Sequence, residues 1–481
     1  MSEQSLKDKT VKGVGWTATD TILRNGVSFI VGIVLARLLS PDDYGLIGIL
    51  TLFIVIFETI VNGGLINAII RKQDAQDIDY CTVFYSNFIL SLLMAGILFL
   101  CASPIAVFFE RSELVDLTRV MSSIIIINAL ALVQRARLSK AINFRAQTKV
   151  SFIAAVCSGG VGISMAYNGF GVWSLVGQQL SNAGITTILL WLVNRWIPKI
   201  QFSIDGFKEM WSFGWKLLVS GILNSLSSQL HHVVIGKCFA PATLGQYTRA
   251  YQFGSLFSDN LSIVIQRVTF PVLSKIQDDP VRLKDAYRRV IKVTVFPTFI
   301  LMMCLAACAK PLLLTLLGVK WTQAAYFLQI ISFSMMLYPL HILNLNAIQV
   351  MGRSDLTLRI NIIKNLLMVF PIAVGILFNI YWMLVADVIR GYICYYLNAY
   401  YSKYVINYSV WEQVCDVYPS IKVALLVALP LYGLSFLPLY PILVLAIQIV
   451  CGSLFLLFLC EKYKYPEYLE LKGIVFKVIK R

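Results

Sequence analysis

Long apolar runs, separated by short polar segments, fill almost the whole chain. Runs of about 20 residues are typical of helices that cross the hydrocarbon core of a membrane. The pattern predicts fourteen such helices, named spans 1–14 here, at residues 15–38, 44–69, 82–109, 118–136, 150–168, 171–193, 211–236, 243–269, 291–317, 322–350, 357–378, 381–402, 418–436 and 440–460. The connections are too short to fold as domains. We therefore predict an all-α polytopic membrane protein that binds its ligand within the helix bundle.

The composition excludes other classes of protein. Of the 481 residues, 58% are hydrophobic and 14% are charged, and the mean hydropathy is +0.74. Soluble domains carry about 45–50% apolar and about 25% charged residues, so a water-soluble enzyme and a disordered chain are ruled out. Ten scattered cysteines and three histidines show no metal-ligand spacing. We expect neither a metal nor a bound cofactor.

The positive charges lie mostly in alternate loops. With the N-terminus in the cytoplasm, about 28 Lys and Arg residues fall on the cytoplasmic side and about six fall outside, as the positive-inside rule requires. An even number of spans returns the basic C-terminus to the cytoplasm. Topology therefore explains the net charge of +16, and no nucleic-acid partner is needed.

Short motifs recur about 200 residues apart and in the same order. The pairs are residues 15–16 and 214–215, Asn25 and Asn224, 40–45 and 240–245, 71–74 and 275–278, and 173–176 and 382–385. Both copies begin with an odd-numbered span, so they have the same orientation in the membrane, which is the parallel-repeat arrangement. We predict two six-helix bundles at 1–200 and 201–410, then two extra helices and a basic cytoplasmic tail at 411–481.

Two segments resemble a known family. LARLLSPDDYG at 35–45 is similar to the LARLLSPxDYG signature of the Wzx-type polysaccharide flippases, and GFGVWSLVGQQ at 169–179 is similar to their GxGVWALVxQQ segment. These proteins belong to the multidrug/oligosaccharidyl-lipid/polysaccharide exporter superfamily. The resemblance is best within roughly residues 10–280. It implies a V-shaped bundle of two six-helix halves around a central cavity.

The resemblance also implies a substrate and a location. The substrate would be an oligosaccharide on polyprenyl pyrophosphate, moved from the inner to the outer leaflet of a bacterial cytoplasmic (inner) membrane. The product would serve capsule, exopolysaccharide or lipopolysaccharide assembly. Membrane lipid, a polysaccharide polymerase and glycosyltransferases would be the partners.

Charged residues inside the spans indicate an internal polar cavity. The candidates are Asp20, Arg24, Glu58, Lys216, Arg249, Asp259, Arg267, Lys364, Asp387 and Arg390. A charge at a helix centre costs about 2.5–3.5 kcal/mol, so this many charges on surfaces facing lipid would be prohibitive. Lys216 and Arg267 lie near the cytoplasmic ends of their spans, where long side chains reach the interface.

The cations allow two interpretations. Asp20 and Arg24 are four residues apart and Asp387 and Arg390 three, so each pair can form an intrahelical ion pair that locks helices together. In the other interpretation, basic residues present positive charge to the pyrophosphate, which the planar guanidinium fork suits. The residues concerned are Arg24, Arg249, Lys364 and Arg390.

Other polar and aromatic residues accompany these charges. Tyr247 and Tyr251 flank Arg249 and either stack on sugars or belong to an interfacial aromatic belt. Asn25 and Asn224 occupy equivalent positions in the repeat, so we expect both to face the cleft between the halves or a neighbouring helix.

Glu58 and Asp259 are candidates for ion coupling. Each lies near the middle of its span without an ion-pair partner at helical spacing. A carboxylate removed from water exchanges protons closer to neutral pH. We hypothesise that one of them couples export to a proton or sodium gradient.

Three functions are compatible with this pattern. The first is a non-enzymatic flippase that works by alternating access, with spans 13 and 14 cradling the polyprenyl tail. The second is a multidrug or cation exporter of the same superfamily, although these usually have twelve spans and an acidic cavity. The third is a membrane polysaccharide polymerase or ligase, which generally needs a long external loop. The basic surplus and the short external loops favour the flippase.

Overall fold

The computed structural model describes residues 25–479 except 73, 142, 275, 277–278 and 352, and excludes the side chains of 259–272, 274, 280, 354 and 474–479. The described residues form helices joined by short turns and contain no strand, so the prediction of an all-α fold is confirmed. In chain order the helices are α1 (Asn25–Leu38), α2 (Pro41–Asn62), α3 (Leu65–Arg71), α4 (Asp77–Leu100), α5 (Ala102–Phe109), α6 (Leu114–Lys140), α7 (Phe144–Tyr167), α8 (Trp173–Asn194), α9 (Ile204–Cys238), α10 (Pro241–Ser274), α11 (Pro280–Leu316), α12 (Thr322–Met335), α13 (Tyr338–Val350), α14 (Ser354–Leu367), α15 (Val369–Leu377), α16 (Ile380–Ile406), α17 (Val410–Leu434), α18 (Pro441–Tyr463) and α19 (Pro466–Ile479).

Every predicted span overlaps one helix or two consecutive helices. Spans 2, 3, 10 and 11 are each divided into a pair, namely α2 and α3, α4 and α5, α12 and α13, and α14 and α15. The basic tail, for which no helix is predicted, forms α19. Nine segments of the described chain are long and apolar enough to cross a membrane. The total of fourteen spans stays a prediction.

The turn between α1 and α2 is fixed by a capping box. The hydroxyl of Ser40 accepts a hydrogen bond from the backbone N–H of Asp43 at 3.2 Å, and the Asp43 carboxylate accepts one from the Ser40 N–H at 2.8 Å. Pro41 occupies the first helical position, where a missing N–H costs nothing. Gly63 and Gly64 end α2 with φ values of 53° and 69°, which favour glycine. The SPDDYG part of the first motif therefore encodes a helix start.

The starts of α2 and α10 meet through two glycines. A Cβ atom on Gly45 would lie 1.9 Å from the carbonyl oxygen of Pro241, and a Cβ on Gly245 would lie 1.9 Å from that of Pro41. No side chain larger than hydrogen fits at these distances. The two copies of the repeated proline–glycine motif thus contact each other reciprocally.

Helix contacts divide the chain into two compact units, Met1–Gly245 and Gln246–Arg481. In the first unit, α9 packs against α2 and α3. The hydroxyl oxygens of Thr59 and Ser225 are 2.9 Å apart, and the backbone of Gly64 lies directly against that of Gly214. The division at 1–200, 201–410 and 411–481 describes a sequence repeat rather than packing, and it stays a prediction.

Lys72 joins the loop after α3 to α4 and α9. Its Nζ lies 2.9 Å from Glu209 Oε2 and 3.2 Å from Asp79 Oδ1. The hydrogen bond to Glu209 raises the pKa of Lys72 above its ordinary value. Nearby, the guanidinium of Arg71 lies 4.5 Å from the ring centroid of Phe213. These contacts hold the first half of α9 against α3 and α4.

In the second unit, a buried carboxylate joins α11 and α17. The side chain of Asp416 is 7% exposed. It accepts hydrogen bonds from Arg288 Nε at 2.7 Å, Arg288 Nη2 at 2.9 Å and the Tyr408 hydroxyl at 2.7 Å. Lys292 Nζ lies 3.0 Å away. The buried ring of Tyr287 packs edge-on against Tyr408, so this polar contact is surrounded by aromatic side chains.

Candidate substrate-binding and ion-coupling sites

Three of the predicted intramembrane charges gather on α14 and α16. Arg390 pairs with Asp387, since its Nη2 and Nε lie 2.7 and 2.8 Å from Asp387 Oδ1. Lys364 of α14 interacts electrostatically with Arg390. The buried Tyr247 of α10 interacts electrostatically with both members of the pair. Two cations and one carboxylate leave an excess positive charge here, so the cluster favours an anion.

Arg249 is buried, whereas Lys364 and Arg390 are partly exposed. Its side chain is 7% exposed, and its Nη1 donates a hydrogen bond to Gln252 Oε1 at 2.5 Å. Tyr251 is 42% exposed, and its ring centroid is 6.0 Å from that of Tyr247. Of the three predicted contacts Arg249, Tyr247 and Tyr251, only Tyr251 is exposed enough to meet a ligand in this conformation.

The structure does not place the remaining candidates in this cluster. Asn224 of α9 is exposed, and Asn25 at the start of α1 is half-buried. Asp20 and Arg24 lie outside the described residues, as does the side chain of Asp259. The Asp20–Arg24 pair and the coupling role of Asp259 stay predictions.

Glu58 of α2 is hydrogen-bonded across the first unit. Asn128 Nδ2 of α6 donates to Glu58 Oε1 at 2.5 Å. Arg135, two turns further along α6, interacts electrostatically with the same carboxyl. A search for charges alone misses Asn128, although an amide inside the apolar run IIIINALALV is a signal of its own. The candidate coupling group thus has an amide partner that its own helix does not supply.

A network of uncharged polar groups joins α13, α16 and α17. The side-chain amides of Asn344 and Gln413 exchange two hydrogen bonds of 3.2 Å. Ser402 Oγ donates to Asn344 Oδ1 at 2.8 Å, and Asn398 Nδ2 lies 3.0 Å from His341 Nδ1. Hydrogen bonds of this kind hold helices together where water is excluded. The network fixes α16, which carries Asp387 and Arg390.

The first unit contains a small polar cavity between α6, α7 and α8. Its volume is about 190 Å³, and Arg135, Gln147, Val150, Ser151, Asn182, Thr186 and Leu190 line it. The second unit has an apolar groove of about 270 Å³ along α11, α12 and α17, lined by residues that include Met303, Phe333, Leu425, Leu429 and Tyr432. Among the described residues, no group of three His, Cys, Asp or Glu side chains is placed to hold a metal ion.

Comparison with known proteins decides the family. The model of the family described as "Polysaccharide biosynthesis protein" matches residues 34–326, which is more than half of the chain and includes both motifs. The chain belongs to this polysaccharide biosynthesis protein family. The resemblance to the Wzx-type flippases is thereby confirmed. Within the family, the chain has a capping box at its first motif and polar groups buried among apolar helices.

Two curated relatives of this family member are informative. The chain is 29% identical over 322 residues to the succinoglycan biosynthesis transport protein ExoT of Rhizobium meliloti, a match that covers 66% of the chain and 65% of ExoT, just under two thirds. It is 23% identical over 474 residues to the teichuronic acid biosynthesis protein TuaB of Bacillus subtilis, covering 96% of the chain and 97% of TuaB. The second match extends through the C-terminal helices.

A solved structure shows the fold. The lipid II flippase MurJ in an inward closed conformation matches with a TM-score of 0.72 over 98% of this chain and 100% of MurJ. At 14% identity, this likeness bears on the fold alone. It confirms that this family member is a polytopic helical membrane protein.

Proposed function

We propose that this protein flips polyprenyl-pyrophosphate-linked oligosaccharide repeat units from the inner to the outer leaflet of a bacterial cytoplasmic membrane. Family membership over residues 34–326 is the observation that carries the proposal. The names of ExoT and TuaB refer to the biosynthesis of succinoglycan and of teichuronic acid, which supports a shared step on a lipid-linked precursor. The protein does no covalent chemistry on its substrate and works by alternating access.

The pyrophosphate head group is expected to be bound by the cluster on α14 and α16. A head group with several negative charges needs cations on its path through the membrane, and Arg390 and Lys364 supply two of them. Asp387 orients Arg390 through its two short contacts. Tyr251 offers an exposed ring on which a sugar can stack.

The polyprenyl tail is assigned to lipid and to the groove on α11, α12 and α17. This groove is lined almost entirely by apolar side chains, among them Leu425 and Leu429 of α17. Apolar lining favours a hydrocarbon chain. Because α17 overlaps span 13, the groove supports the prediction that the C-terminal helices cradle the tail.

Glu58 is our first choice for ion coupling, with protons or sodium as the driving ion. It is half-buried in the first unit, and Asn128 holds its carboxyl in place. If neither Glu58→Gln nor Asp259→Asn changes the dependence of export on the ion gradient, this part of the proposal is wrong.

A leaflet assay tests the proposed function. A strain that lacks this protein should accumulate intact lipid-linked repeat units on the cytoplasmic leaflet, and the wild-type gene should clear them. Arg390→Met and Lys364→Met should restore little export. Arg353→Gln is the matched control, since Arg353 is an exposed loop cation paired only with its neighbour Asp355 among the described residues.

Two other outcomes would replace the proposal. Single repeat units that reach the outer leaflet but stay unpolymerised would identify a polymerase or ligase. Normal repeat-unit export together with increased sensitivity to cationic drugs would identify a multidrug exporter.

A further inference from the structure

Neutral polar side chains recur at helical spacing on two neighbouring helices of the first unit. Gln147 and Ser151 are four residues apart on α7, and Asn182 and Thr186 are four residues apart on α8. This spacing puts each pair on one helix face. All four line the 190 Å³ cavity, together with Arg135 at its exposed end.

The two amide groups of the cavity are held by the surrounding helices. Gln147 Nε2 lies 3.0 Å from Ser139 Oγ, and Asn182 Nδ2 donates to Ser158 Oγ at 3.1 Å. Each amide therefore spends a donor on the protein and keeps its oxygen as an acceptor. The cavity has fixed walls before a ligand enters, which lowers the entropic cost of binding.

Thr186 and its neighbour Thr187 have different roles at the cavity. Thr186 is 7% exposed, and it lines the cavity between α6, α7 and α8. Thr187, the next residue, is equally buried, but its hydroxyl donates to the Ile127 carbonyl at 2.9 Å. Because Thr186 lines the cavity and Thr187 does not, the hydroxyl of Thr186 is available to a bound molecule, whereas that of Thr187 serves the fold.

The lining suits a sugar better than a pyrophosphate. Among the described residues that line the cavity, Arg135 alone is charged, whereas a pyrophosphate brings several negative charges. Hydroxyls and amide oxygens match sugar hydroxyls, which donate and accept. A volume of about 190 Å³ equals that of about six water molecules, which suits one ring and not a chain.

We propose that the cavity between α6, α7 and α8 binds one sugar ring of the lipid-linked oligosaccharide. The hydroxyls of Thr186 and Ser151 donate hydrogen bonds to hydroxyl oxygens of the sugar. The amide oxygens of Gln147 and Asn182 accept hydrogen bonds from the sugar hydroxyls. The guanidinium of Arg135 donates to an oxygen of the same ring. This inference rests on the proposed function and adds to it that the protein recognises one sugar of the substrate. Gln147 and Ser151 lie at the predicted cytoplasmic start of span 5, so the ring enters from the cytoplasm.

A neighbouring pair of threonines provides the test. The full-length protein in lipid nanodiscs is titrated with two probes, the purified lipid-linked repeat unit and polyprenyl diphosphate without sugar. Thr186→Val keeps the shape and removes the hydroxyl, so we expect the Kd for the glycosylated lipid to rise about 2- to 10-fold. The Kd for polyprenyl diphosphate should not change. Thr187→Val should leave both unchanged.

Several results would overturn the inference. Equal affinities of Thr186→Val and Thr187→Val for the glycosylated lipid would contradict it, as would an equal loss for both probes. Ser151→Ala, at a partly exposed position, repeats the test if Thr186→Val unfolds. Failure of the wild-type protein to bind either lipid would instead overturn the proposed function.

Discussion

Replacing Gly45 by alanine tests the contact between the two copies of the repeated motif. The new methyl group would lie 1.9 Å from the carbonyl oxygen of Pro241. Carbon and oxygen atoms rarely approach closer than about 3.3 Å, so the starts of α2 and α10 must separate by about 1.4 Å. The obstacle is backbone and cannot rotate away. Overpacking of this kind costs about 1–3 kcal/mol, and we expect the free energy of unfolding to fall by this amount.

Denaturant unfolding of the purified protein in detergent measures this loss. Gly96→Ala is the matched control, because Gly96 lies inside α4 and a Cβ there meets no atom within 4 Å. Alanine is the better helix former by about 0.5–1 kcal/mol, so the control should be as stable as the wild type or more stable. If Gly45→Ala unfolds at the same midpoint as Gly96→Ala, the close approach does not exist and the reasoning is refuted.

Three further predictions concern single side chains and the C-terminal helices. Asn128→Leu removes the amide donor of Glu58 and should lower the free energy of unfolding by about 1–3 kcal/mol; an unchanged denaturant midpoint would contradict the contact. Asp416→Asn leaves Arg288 and Lys292 without their shared carboxylate and should cost about 3 kcal/mol in the same measurement, whereas Asp355→Asn, at an exposed pair, should not move the midpoint. Ending the chain before residue 439 should abolish export in the leaflet assay, and full export would remove the role of the last helices.

Local spacing is the part of the site that sequence predicts best. Asp387 and Arg390 are three residues apart, and the helix alone brings them together. Glu58 and Asn128 are 70 residues apart. Their contact depends on how α2 packs against α6, which the pattern of a single helix does not encode. The sequence therefore predicts pairs within a helix and misses pairs between helices.

Uncharged polar residues are the second gap. Charged residues are easy to identify in an apolar span because they have the highest free-energy cost in the membrane. Uncharged polar residues such as Thr186, Asn182 and Asn344 cost less, so their presence in an apolar span does not by itself indicate a function. The interval of four residues between Asn182 and Thr186 becomes meaningful only when their helix face is known to meet that of Gln147 and Ser151. The predicted spans also begin too late, because helices such as α9 and α11 start in the charged segments that precede the apolar runs.

The packing of α9 against α2 and α3 has a consequence for biosynthesis. A chain is synthesised from its N-terminus, and its N-terminal parts fold first. Until residues 204–238 have been inserted, the faces of α2 and α3 that α9 covers have only lipid as a neighbour, and Lys72 lacks Glu209. The first unit therefore reaches its final packing only after α9, which contains predicted span 7, has left the ribosome and the second copy of the repeat has already begun to enter the membrane.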